Sequence, residues 1–164
     1  MAIEKTVGES LRDRGAFVAT AESCTGGLIG SLLTDVPGSS DYFDRSIVTY
    51  SYDAKMEHLG VPREVLDDVG AVSEPVAEQM ARGVRDTAGV TWGVATTGIA
   101  GPEGGSDDKP VGTVHIGVAH AGAWGSGESW CRVQRYVFDG TRTEIKRQIA
   151  ERALEDLRAA VESA

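Results

Sequence analysis

The chain has 164 residues, 41% hydrophobic and 25% charged, and its 25 acidic residues outweigh 16 basic ones for a net charge of -9. That length suits one domain with its own core, and the composition excludes a disordered chain. The acid excess, with no basic cluster, excludes a duplex nucleic-acid partner, and no apolar run approaches the ~20 residues of a membrane span.

The N-terminus, MAIEKTVGES, lacks the apolar stretch of a signal peptide, so a cytoplasmic protein working away from membranes is expected. Cys24, Cys131, His58, His115 and His120 fit no metal-ligand spacing, so no metal is expected, and a reducing compartment disfavours a disulfide. Only four lysines accompany twelve arginines, which makes each lysine worth inspection.

Ile3, Val7 and Leu11 recur at helical spacing and predict a helix over 3–14, stopped by Gly15. Ala16 to Thr20 reads as a short buried strand. AESCTGG then turns the chain into a helix carrying Leu28, Ile29, Leu32 and Leu33, ending at Asp35-Val36-Pro37-Gly38. The β-branched run Ser46 to Tyr50 is a second strand. Ser51 caps a short helix with Lys55 and Leu59, and another helix covers Arg63 to Asp68. Ser73-Glu74-Pro75 opens a helix with Val76, Met80 and Val84 on one side. Val90 to Thr97 is the third strand, followed by a glycine-rich loop, Gly98 to Gly112. Thr113 to Ala119 is the fourth strand, and Cys131 to Phe138 pairs antiparallel to it. Thr141 to Glu144 forms a capping box that opens the last helix. Helices alternating with strands before a closing hairpin predict a single α/β domain over 1–164. Its expected form is a three-layer α/β/α sandwich on a mixed, mostly parallel sheet with an antiparallel edge hairpin.

Chemistry concentrates in the two glycine-rich turns after the first and third strands. In the first, Ser23 is either an exposed nucleophile or, with Thr25, a helix cap, and the turn's N–H groups suit an anion or oxyanion. Cys24 is a rival nucleophile with no histidine beside it, so a packed thiol is the simpler reading. Lys55 lies near the start of its helix, where the dipole and burial both favour the neutral amine of a general base. On a solvated helix face it would be an ordinary surface lysine. Tyr50 either orients that amine or packs at the sheet edge. Glu22 either binds a substrate hydroxyl or complements the helix N-terminus. The fifteen-residue loop holding Gly98, Gly101, Gly104, Gly105, Ser106 and Lys109 is either a ligand site, in which Lys109 could neutralise a phosphate, or a mobile surface loop, and its length favours the first. Arg142 is an anion fork or one more surface arginine.

Four stretches carry a resemblance: TAESCTGGLIGSLLTDVPGSS, IVTYSYDAK, GAVSEPVAEQMARG and TTGIAGPEGGSDDKPVGTVHIG, in this order over about residues 20 to 117. Together they resemble the C-terminal domain of the competence/damage-inducible protein CinA and the stand-alone bacterial nicotinamide-nucleotide amidases. The resemblance implies a Ser/Lys amidohydrolase that needs no cofactor and splits the carboxamide of nicotinamide mononucleotide in pyridine-nucleotide recycling. On the matching positions it makes Ser23 the nucleophile, Lys55 the base and Tyr50 the assisting tyrosine. It further implies that the Gly98–Thr113 loop helps form the nucleotide pocket, and Lys109 or the loop backbone is our candidate to meet the phosphate. Glu22, Thr25, Gly26, Gly27, Thr97 and Arg142 are further candidates for substrate binding. Full-length CinA proteins add an N-terminal molybdopterin-binding-like domain associated with ADP-ribose pyrophosphatase activity. These 164 residues contain no counterpart to it, so that activity is not expected. The hairpin strand and the resemblance favour a homo-oligomer, a dimer or larger. Two other readings stay open, a nucleotide-binding or regulatory module without turnover and an oligomerisation domain.

Overall fold

The computed structural model describes residues 1–164. Its helices are α1 (Ile3–Asp13), α2 (Leu28–Thr34), α3 (Tyr52–Leu59), α4 (Arg63–Val69), α5 (Glu74–Ala88) and α6 (Arg142–Ser163). The strands are β1 (Val18–Glu22), β2 (Phe43–Val48), β3 (Trp92–Gly98), β4 (Thr113–His120) and β5 (Trp130–Val137). No helix is long and apolar enough to cross a membrane.

The strands form one mixed sheet in the order β2-β1-β3-β4-β5. β1 pairs in parallel with β2 and with β3, whereas β3–β4 and β4–β5 are antiparallel. Only β4 therefore runs against the rest. The α/β fold and the edge hairpin match the sequence reading.

Period-two alternation sorts the side chains onto two faces. Val18, Trp92, Val94, Val114, Ile116 and Val118 meet the apolar stripes of α1, α2 and α6. Ala19, Ala21, Ala95 and Ala119 form the opposite face with residues of α3, α4 and α5. Small residues dominate that second face because α5 lies close against it. A Cβ at Gly93 would collide with the Ala81 carbonyl of α5, and one at Gly117 would stand 2.9 Å from the Ala77 carbonyl.

Two strands slide relative to expectation, for reasons that matter later. β1 runs to Glu22 because its ladder with β3 continues from Val18–Trp92 to Glu22–Thr96. β2 starts earlier, at Phe43, and stops at Val48. Beyond that point Thr49 and Tyr50 turn their carbonyls toward Lys55 instead of a neighbouring strand.

The chain leaves β1 for α2 on one face and leaves β2 for α3 on the other. Covering helices thus part above the carboxyl ends of β1, β2 and β3, which is where open α/β sheets hold ligands. The candidate residues gather there.

Candidate functional site

Ser23 follows β1 directly, in a turn closed by Gly26 and Gly27. Both glycines have positive φ, 60° and 98°, which a side chain would strain. Ser51 caps α3 by accepting from the Ala54 N–H, which places Lys55 one turn into the helix and pointing inward. The Lys55 side chain is 0% exposed. Its Nζ lies 3.1 Å from Ser23 Oγ and donates to the carbonyls of Thr49 at 2.7 Å and Tyr50 at 3.1 Å. Burial disfavours the ammonium and lowers the lysine pKa from 10.5 to about 8. A neutral amine has two N–H groups and one lone pair. With Lys55 neutral, the two carbonyls would take its N–H groups and leave the lone pair to the serine hydroxyl.

Cys24 lines the same cleft but is a different kind of group. Burial pushes its thiol up to about 12, so it stays protonated at neutral pH.

The other half of the turn corrects an expectation. Glu22 is fully buried and does not reach the cleft. Its carboxylate accepts from the hydroxyls of Thr20, Thr25 and Ser46 and from the N–H groups of Gly27, Ile29 and Gly30. The α2 N-terminus is therefore filled by an internal carboxylate, not open to a substrate phosphate. Thr25, held between Glu22 and Thr96, is equally occupied behind the cleft. The N–H groups of Cys24 and Thr25 are left without a backbone acceptor.

A cleft of about 270 Å³ opens over Ser23 and Lys55. Ala71, Val72, Ile99 and Ala100 give it apolar sides, and Tyr50, Glu103 and Arg142 stand at its rim. Thr97, Gly98, Gly101 and Gly104 also line it. Thr97 donates its hydroxyl to the Ala71 carbonyl at 2.8 Å and so ties β3 to the opposite wall. Arg142 donates to the Gly101 carbonyl at 2.6 Å and to Tyr50 Oη at 3.4 Å, bridging the glycine-rich loop to the end of β2. Tyr50 itself is 65% exposed, and its carbonyl rather than its phenol meets Lys55.

Four loop candidates stand away from the cleft. Gly105 and Ser106 are absent from its lining; Ser106 closes a turn in which its hydroxyl accepts from the Lys109 N–H. Thr113 is buried and donates to the Pro110 carbonyl. Lys109 reaches away to the Val69 carbonyl at the end of α4, at 2.9 Å. The residues missed by sequence reasoning are Ala71, Val72, Ile99, Ala100 and Glu103. An apolar pair between two helices, GAVS, and apolar residues inside a glycine-rich loop were the available signal.

The profile of the CinA C-terminal domain matches residues 1–161. The chain belongs to the CinA C-terminal domain family. Among relatives of this family, a CinA-like protein of Chlorobium limicola is 52% identical over 154 residues, 94% of this chain but 35% of its own length. A CinA-like protein of Syntrophobacter fumaroxidans behaves alike, at 51% identity over 34% of its length. The chain thus spans about a third of these CinA-like relatives. The nicotinamide-nucleotide amidohydrolase PncC of Shigella flexneri is different: 47% identity covers 96% of this chain and 92% of that protein. The fold of the family is equally clear. A CinA superfamily protein from Klebsiella pneumoniae superposes with a TM-score of 0.90 at 32% identity, covering 99% of this chain and 97% of the other. The competence/damage-inducible protein CihA of Agrobacterium tumefaciens gives 0.86 at 42% identity, covering 98% and 95%.

Proposed function

We propose that the protein hydrolyses the carboxamide of nicotinamide mononucleotide to the carboxylate and ammonia, with Ser23 as nucleophile and Lys55 as general base. The observation that carries this reading is the 3.1 Å approach of Lys55 Nζ to Ser23 Oγ inside a cleft that depresses the lysine pKa. The full-length likeness to a nicotinamide-nucleotide amidohydrolase supports the choice of substrate.

Neutral Lys55 takes the hydroxyl proton as Ser23 Oγ attacks the amide carbon, and the carbonyl oxygen becomes an oxyanion. The N–H groups of Cys24 and Thr25, which have no backbone acceptor, would receive it. The Lys55 ammonium, steadied by the Thr49 and Tyr50 carbonyls, then returns the proton to the departing nitrogen. C–N cleavage releases ammonia and leaves an ester on Ser23. Lys55 next takes a proton from water, hydroxide attacks the ester, and the serine hydroxyl is restored. The pyridinium of this substrate carries a positive charge, which the exposed Tyr50 ring and the Glu103 carboxylate at the rim can both face. Arg142 keeps donor capacity at the same rim for the phosphate. A reaction of this kind would serve pyridine-nucleotide recycling.

Ammonia release from nicotinamide mononucleotide, compared with free nicotinamide, tests the proposal. Turnover of the nucleotide in preference to the free base is the expected result. Binding without ammonia would leave a nucleotide-binding module.

A further inference from the structure

Lys109 sits in the glycine-rich loop, yet its ammonium belongs to another element. It donates to the Val69 carbonyl at 2.9 Å, where α4 ends without a basic residue of its own. A cation is favoured at that carbonyl end of a helix. The next four residues, Gly70 to Ser73, carry one wall of the cleft through Ala71 and Val72. Gly70 has φ 77°, and a Cβ there would lie 3.7 Å from Lys109 Nζ. Ala71 and Val72 face the cleft, and Ser73 donates its hydroxyl to the Gly70 carbonyl at 2.8 Å.

The turn from Val69 to Ser73 is thus held from three sides. Lys109 takes Val69 from the loop, Thr97 takes Ala71 from β3, and Ser73 takes Gly70 from within. The loop is in turn pinned by Arg142 at Gly101 and by Arg135, whose Nη2 donates to the Asp108 carbonyl at 2.9 Å. Lys109 alone joins the loop to α4. Its own turn is built for that reach, since Ser106 and Lys109 exchange two hydrogen bonds and fix where the side chain starts.

We infer that Lys109 is a positioning residue that clamps the glycine-rich loop to the end of α4 and so sets where the Ala71–Val72 wall stands relative to the loop residues Ile99 and Ala100 that line the same cleft. This inference rests on the proposed amidase reading for its substrate, but the clamp itself is a property of the fold. It gives Lys109 a role in binding that does not involve touching the phosphate.

The test compares wild type, Lys109→Ala and Lys109→Arg in two measurements. The first is the affinity of each protein, carrying Ser23→Ala to prevent turnover, for nicotinamide mononucleotide and for its dephosphorylated riboside. One charge-assisted hydrogen bond is lost, so Lys109→Ala should weaken both ligands by the same factor, about tenfold. Lys109→Arg should recover most of it, because a guanidinium can donate to the same carbonyl. A loss confined to the phosphorylated ligand would overturn the inference and make Lys109 a direct phosphate contact. The second measurement is amide hydrogen exchange without ligand. Residues 69–73 and 99–112 should exchange faster in Lys109→Ala, with the global melting temperature nearly unchanged. Unaltered exchange there would also overturn it. Absence of ammonia release by the wild-type enzyme would instead defeat the amidase reading, and the exchange result would still decide the clamp.

Discussion

Lys55 Nζ and Ser23 Oγ lie 3.1 Å apart although 32 residues separate them in the chain. Ser23 is delivered by the end of β1 and Lys55 by the first turns of α3, after β2 has paired alongside. Parallel pairing of β1 with β2, Glu22 opposite Val48, is what brings the two connections together. Ser23→Ala should remove ammonia release from nicotinamide mononucleotide. Lys55→Ala should lower kcat on the order of 10³-fold, the scale of a positioned general base. Circular dichroism should show both variants folded, and retained turnover in either would contradict its role.

Activity should follow deprotonation of Lys55. Its pKa is lowered to about 8 by burial, so the active neutral form accumulates as pH rises through that value. A profile of kcat/KM should therefore climb from pH 6 and level off above about 9. Lys55→Arg, which keeps its proton throughout, should be inactive across the range. A flat profile between pH 6 and 9 would take the lysine out of the base role.

The same shift makes stability depend on pH, with a definite sign. The unfolded lysine holds its proton up to 10.5 and the folded one only to about 8. Between these values the unfolded chain binds more protons, so stability rises with pH in that window. Below pH 8 the full penalty for the buried charge applies, ~3 kcal/mol from the difference in pKa. Urea unfolding of wild type and Lys55→Met at pH 7.5 and 10.5 isolates this residue. The wild type should gain on the variant by roughly that amount at the higher pH. A constant difference would mean that the amine is not buried in its charged form.

Glu22 should behave as a structural carboxylate. Glu22→Ala strands three N–H groups and three hydroxyls that now donate to it. Loss of about 3 kcal/mol or more of stability is expected. Glu22→Gln brings an NH₂ group against those donors and should recover only part of it. A substrate ligand would behave differently, raising KM while leaving the melting temperature alone.

Much of this was readable from sequence because local signals and tertiary demands agreed. The capping box at Thr141–Glu144 and the Ser51 cap both form as their residue types dictate. Small residues after a strand and a lysine at a helix start make Ser23 and Lys55 candidates beside their plainer readings, and the family resemblance singles them out; the fold brings the two side chains together. The pattern allows Glu22 two readings, of which the helix N-terminus one holds, and sets Lys109 opposite a phosphate, for one reason: sequence shows which groups are polar, not which partners already satisfy them. Glu22 is taken up by the α2 N-terminus, and Lys109 by a carbonyl 40 residues away. The Ala71–Val72 wall was hidden because apolar residues between helices look like ordinary packing. Tyr50 meets Lys55 through its backbone carbonyl, which no side-chain pattern reports.

The most direct measurement is peptide mass mapping of enzyme quenched during turnover of nicotinamide mononucleotide. An ester of nicotinate mononucleotide on Ser23, absent from Ser23→Ala and localised by fragmentation away from Cys24, is the expected result. An adduct on Cys24, or full turnover by the Ser23→Ala protein, would contradict the account.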